Sequence, residues 1–106
     1  MTTMINPFIV DAADQAELVA IEVTGITEIA SAMPGFVRGS IHRSLDGTRV
    51  VNYIQWADGD SWANAHSALT HDERYRAHMA RVQRIATANP HAYEVVAVIE
   101  GRSPKS

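Results

Sequence analysis

The segment Ser44-Leu45-Asp46-Gly47-Thr48-Arg49-Val50-Val51-Asn52-Tyr53-Ile54-Gln55-Trp56 decides the fold. An Asp-Gly pair between two runs rich in β-branched and aromatic residues is the strongest short-range hairpin signal. It predicts strands over 36–44 and 48–56. Successive side chains on a strand point to opposite faces, so Asn52, Ile54 and Trp56 share one face. A buried amide or indole needs hydrogen-bond partners, and in a pocket those partners are substrate oxygens.

Outward from the hairpin, residues 4–10 read as a strand, with Pro7 favouring an edge or a bulge because it donates no backbone hydrogen bond. Between 14 and 33 the apolar positions Leu18, Ile21, Ile29 and Val19, Val23, Ile26, Ala30, Met33 recur at helical spacing. Asp11 or Asp14 suits the N-cap, Pro34-Gly35 ends the helix, and Gly25 weakens it. Asp58-Gly59-Asp60-Ser61 introduces a second helical region from Trp62 to about Ala88, interrupted near Thr70-His71-Asp72. A last strand is predicted over Tyr93 to Ile99.

The order βαββαβ is the α+β, ferredoxin-like arrangement, an antiparallel sheet with its helices on one face. Val50, Ile54 and Trp56 oppose Val51 and Tyr53 on the third strand, and the last strand is apolar on both sides too. Helices sufficient for one face leave the other to a second sheet. A homodimer packed sheet to sheet, with two-fold symmetry as the first expectation, follows.

The 106 residues suit one domain spanning 1–106, with about 101–106 a frayed polar tail. With 46% hydrophobic and 20% charged residues the composition is that of a folded protein. A net charge of −3 argues against nucleic acid or an anionic membrane as partner. There is no membrane-length apolar run, no signal-peptide pattern and no cysteine, so a cytoplasmic location is the expectation. Five histidines lack the spacing of a helical zinc site, and no phosphate loop, nucleophile elbow or dinucleotide fingerprint occurs. Metal, flavin and nicotinamide chemistry are therefore not expected.

Hairpin register decides what shares a site, because a slip of one residue reverses the faces. A two-residue turn at Asp46-Gly47 sets His42 with Val51 and Tyr53. A three-residue loop, Leu45 to Gly47, sets Ser40 and His42 with Val50 and Asn52; this register is the one expected here. It gathers Phe36, Arg38, Ser40, His42, Asn52, Ile54 and Trp56 into a mixed polar and aromatic wall. Each member alone has a plainer reading: a backbone-paired Asn, a core Trp, a surface His. The run His71 to His78 reads mainly as a solvated helix face, from which Arg76 would turn inward to meet an anion.

The chain resembles the antibiotic-biosynthesis monooxygenase family, small dimeric α+β barrel proteins. The resemblance rests on Asn6-Pro7-Phe8, Pro34-Gly35-Phe36-Val37, the turn from His42 to Thr48, and Val50 to Trp56. It implies a central place for Pro7 in the sheet, reconciled by a local bulge. The nearest group it looks like is the actinorhodin-pathway type, which oxidises an aromatic anthrone to a quinone with dioxygen and neither metal nor flavin. The resemblance then implies Asn52, Trp56, Arg76 and His42 as catalytic residues and Trp62, Phe36, Ile54 and Ser40 as substrate contacts. Asn52 and Trp56 would hold an oxyanion through their N–H groups, Arg76 would add charge and His42 would take the proton. Trp62 stands where that group carries a Tyr, which removes a phenolic O–H.

Two other readings accompany it. A haem-degrading branch of the same superfamily uses a first-strand Asn and a helix His as proximal ligand, places matched by Asn6 and His78, although Ala65 stands where its Trp is expected. The third reading is a dimeric binding module that holds an aromatic ligand without transforming it, since a fold alone does not choose a function.

Overall fold

The computed structural model describes residues 1–103. Its strands are β1 (Thr2–Val10), β2 (Phe36–Arg43), β3 (Arg49–Trp56), β4 (Ala86–Ala88) and β5 (His91–Glu94), and its helices are α1 (Gln15–Glu28), α2 (Gly59–Leu69) and α3 (Glu73–Gln83). Short 3₁₀ turns at Ala12–Asp14 and Ala30–Ala32 flank α1. The sheet is antiparallel in the order β2-β3-β1-β4, with β5 on the same side of β1 as β4. Apart from the division of the last strand, this is the expected ferredoxin-like order.

The hairpin register differs from the expected one. Ile41 lies opposite Asn52, His42 opposite Val51 and Arg43 opposite Val50, and Ser44 N donates to Arg49 O. Four residues, Leu45 to Thr48, therefore form the loop. Asp46 organises it by accepting from Ser44 Oγ, Thr48 N and Thr48 Oγ1, and Gly47 takes the positive φ of 82° that closes it. A bulge at Val37 lets Phe36 stay opposite Trp56 while Arg38, beyond it, meets Gln55. Phe36 and Trp56 thus face the helices, whereas Arg38, Ser40 and His42 face away from them.

Pro7 occupies a central strand with no bulge, because its pairing with β3 runs unbroken from Thr2 opposite Trp56 to Ile9 opposite Arg49. The discontinuity lies in the neighbour instead. On the other side of β1 the ladder breaks between β4 and β5 at Asn89-Pro90, where Asn89 N donates to Pro7 O. The N and O of one strand residue point to the same side, so the donor that Pro7 lacks would have faced this gap.

The predicted last strand is also corrected. Thr2, the first residue of β1, pairs with Glu94, so β5 ends where its partner strand does. Val95, Val96, Val98 and Ile99 follow with no regular structure and stand exposed. Residues 101–103 of the expected frayed tail likewise carry no regular structure; the remainder of that tail, 104–106, lies outside the described residues.

At the start of α1 neither Asp11 nor the N-cap residue Asp14 makes the expected side-chain cap bond, whereas the other two helices are capped as expected. Asp58 accepts from Ser61 N at the start of α2, and Asp72 accepts from Arg74 N and Tyr75 N at the start of α3. The inner face of the sheet carries two apolar clusters. One joins Phe8, Val10 and Val50 to Leu18 and Ile21 of α1 and Val82 of α3. The other joins Ile54 and Trp56 to Ala65 of α2, with Met4, Phe36 and Trp62 against them. Complete burial of Phe8, Leu18, Val50 and Val82 contributes about 1.5–3 kcal/mol each. On β3 the residue between the two clusters is Asn52. Among the described residues no helix is long and apolar enough to cross a membrane.

Candidate active site

Asn52 is 3% exposed and would be unstable there without partners. Its amide nitrogen donates to Glu22 Oε1 at 2.9 Å, and Glu22 Oε2 lies 2.6 Å from His78 Nε2. Glu22 is itself buried, on the α1 stripe formed by Leu18, Ile21, Gly25 and Ile29. A carboxylate only accepts, so Glu22 fixes which end of the Asn52 amide faces it and leaves Asn52 Oδ1 unpaired. Across the sheet Asn6 lies opposite Asn52, and its Oδ1 accepts from Asn89 N.

Beside this network a cleft of about 530 Å³ opens between the sheet and α2–α3, walled by Met4, Trp56, Trp62, Leu69, Tyr75 and Met79 among others. Trp56 is buried and its Nε1–H has no partner among the described residues. Phe36 meets the Trp56 ring edge-on at 5.5 Å and Ile54 packs in the same cluster, so both hold the indole rather than line the cleft. Trp62 does line it, stacked on His66 at 5.4 Å. A smaller chamber of about 60 Å³, lined by Glu22, Asn52, Tyr75 and His78, shares Met4, Asn6, Tyr75 and Met79 with the cleft. Asn52 therefore faces the chamber and Trp56 the cleft.

Three expected site residues lie elsewhere. His42 and Ser40 are exposed on the outer face, their side chains 3.1 Å apart, because the four-residue loop sets the opposite face from the expected one. Arg76 is exposed because α3 turns its helical-period stripe of Tyr75, His78, Met79 and Val82 inward. A residue one position after Tyr75 is rotated about 100° from it. Tyr75 instead brings a phenol to both cavities, and burial, reinforced by the Glu22 charge, raises its pKa, so it remains a donor. His78 does not fit the role of a haem ligand, since its Nε2 lies 2.6 Å from Oε2 of buried Glu22 and its ring faces the chamber.

Glu22, Tyr75 and His66 were not singled out from the sequence. For Glu22 a signal existed, an acid in register with the apolar stripe Leu18, Ile21, Gly25 and Ile29.

The family model described as antibiotic biosynthesis monooxygenase matches residues 1–81. The chain belongs to that family. It is 31% identical over 103 residues to tetracenomycin-F1 monooxygenase of Streptomyces glaucescens, covering 97% of this chain and 88% of that protein. Among solved structures it is similar to SnoaB, a cofactor-independent oxygenase from Streptomyces nogalater, with a TM-score of 0.76, 23% identity, and 94% and 97% of the two chains covered. It is also similar to the ActVA-Orf6 monooxygenase of Streptomyces coelicolor, solved with nanaomycin D, with a TM-score of 0.70, 25% identity, and 93% and 92% covered. As a member of the antibiotic biosynthesis monooxygenase family the chain is an oxygenase.

Proposed function

We propose that the chain is a cofactor-independent monooxygenase that oxidises an electron-rich phenolic, anthrone or hydroquinone substrate to a quinone with dioxygen. The observation that carries this reading is the buried, unpartnered indole N–H of Trp56 in the wall of an aromatic cleft. Dioxygen reacts slowly with closed-shell molecules, but an organic anion passes it one electron and then recombines with it. For an anthrone or a phenol, dioxygen supplies the new carbonyl oxygen and leaves its other atom as water, whereas a hydroquinone gives up two electrons and two protons and dioxygen leaves as hydrogen peroxide. The protein has then to ionise the substrate and hold the anion, and a preorganised donor in a dry site does this well. Tyr75 adds an O–H donor to the same cleft. Neither His42 nor Arg76 enters this scheme.

The family supports a homodimer, and so does the exposed apolar run from Val95 to Ile99, which pairs with no strand among the described residues. Oxygen uptake and product mass with a panel of anthrones and hydroquinones, using labelled dioxygen and chelator-treated protein, tests the activity. One labelled oxygen in an anthrone-derived quinone is expected. Tight binding of the panel without oxygen uptake would instead establish a non-catalytic binding module.

A further inference from the structure

Glu22 and His78 take no part in holding the substrate anion, yet a carboxylate is costly to bury and is retained here beneath the cleft. The chamber they line meets the cleft at Tyr75 and is roomy enough for one or two waters, each needing about 30 Å³. On its far side Gly25 and His78 also line a groove on the outside of the helices, with Arg74 and Arg81. The His78 side chain is 11% exposed. A Cβ at Gly25 would overlap its ring, so the glycine that weakens α1 is the residue that lets the imidazole span from chamber to groove.

We infer that Glu22 and His78 form a proton exit from the active site, an assignment that rests on the oxidation proposed above. The substrate O–H breaks with its electron pair left on oxygen. The proton crosses the chamber by way of Tyr75 or water to the Glu22–His78 pair, and the imidazole releases it to solvent at the groove. No electron moves in this step. Around the pair, Glu22 comes from α1 and Tyr75 from α3, while β1 and β3 offer the neutral amides of Asn6 and Asn52. Glu28, Arg74 and Arg81 are the charged groups at the groove, and His66 of α2 is the other base on the cleft. Asn52 acts here as a positioning residue for Glu22.

The test is oxygen uptake with a hydroquinone turned over by the wild type, comparing Glu22→Gln and His78→Ala with and without added imidazole. Glu22→Gln keeps an oxygen for the Asn52 amide and so guards against a folding defect. Both variants are expected to lose about 10²-fold in kcat with KM little changed, and free imidazole is expected to restore His78→Ala. A folded Glu22→Gln with wild-type kcat and pH profile overturns the relay and leaves the oxygenase reading intact. Loss in His78→Ala that imidazole does not restore also overturns it. Absence of oxygen uptake by the wild type across the panel removes the oxidation itself, and the relay with it.

Discussion

The Asn52 amide nitrogen donates to Glu22 Oε1 at 2.9 Å, and both residues are buried between two apolar clusters. This bond commits one of the two amide N–H groups of Asn52 to Glu22 and leaves the second as a donor. Its Oδ1 is unpaired among the described residues. Asn52 thereby holds Glu22 in place.

Asn52→Ala is expected to cost about 1–3 kcal/mol, because it strips a buried carboxylate of a donor, with a further cost for the space left behind. Asn52→Asp places a second carboxylate against Glu22 and is expected to be worse at neutral pH and to recover as pH falls, when one of the two is protonated. Urea denaturation at two pH values checks both.

Trp56→Phe separates function from stability. The indole N–H has no partner, so removing it breaks no bond within the subunit and leaves no orphan. The smaller ring leaves space in a buried cluster, so stability is expected to fall by about 1–3 kcal/mol without loss of the fold. Oxidation is expected to fall about 10²–10³-fold if that N–H is the principal anion donor. His42→Ala, on the outer face, is expected to leave kcat unchanged. The pair of kinetic measurements checks which face of the hairpin holds the site.

The strand and helix order was legible because it depends on periodicity and turn chemistry, both local. Even the Asp72 cap of α3 is visible near Thr70-His71-Asp72. The faces of β2 were not, since they depend on how many residues the loop uses and on the bulge at Val37, and Asp46-Gly47 is compatible with more than one loop. Arg76 stands one residue, about 100° of helix, from Tyr75, and an inward Arg76 does not fit the phase that Tyr75, Met79 and Val82 set. Glu22 was overlooked because a Glu in a helix is ordinarily solvated, although its register with Leu18 and Gly25 was there to read.

Gly25→Ala has an unfavourable outcome despite raising helix propensity by about 1 kcal/mol. The new methyl would overlap the His78 ring, which is held by Glu22 and cannot swing into open solvent without breaking that pair. Net destabilisation of about 1–3 kcal/mol is expected, as for other overpacked sites. Combining it with His78→Ala removes the obstacle and is expected to recover most of the loss. A double-mutant cycle by denaturation measures the coupling.

Asp46 gives the hairpin a predictable acid response. Bonds from Thr48 N–H, the Ser44 hydroxyl and the Thr48 hydroxyl lower its pKa to about 2 from 3.8. A depressed folded value means the contribution is present above 3.8 and fades as pH falls from there through about 2. Asp46→Asn is therefore expected to lower the urea midpoint at neutral pH and to differ little from the wild type once the pH reaches about 2. A midpoint difference that does not shrink on acidification would place the Asp46 effect in packing rather than in its charge.

The run Val95 to Ile99 supplies the last prediction. Val96 and Ile99 are 89% and 91% exposed, in a sequence of β-branched residues suited to a strand. The pairing with β1 ends at Glu94, and among the described residues they pair with no strand. Exposed apolar segments with unpaired backbone invite a neighbouring chain, and in a homodimer the available neighbour is the sheet of the second copy. Val96→Asp combined with Val98→Asp should shift the wild-type dimer toward monomer in multi-angle light scattering, because each charge would have to be buried in the interface. The same substitutions should leave the far-ultraviolet circular dichroism of the subunit unchanged, since both positions lie outside its core. A monomeric wild type would instead assign these residues to some other partner, and a dimer untouched by two buried charges would place the interface elsewhere on the sheet.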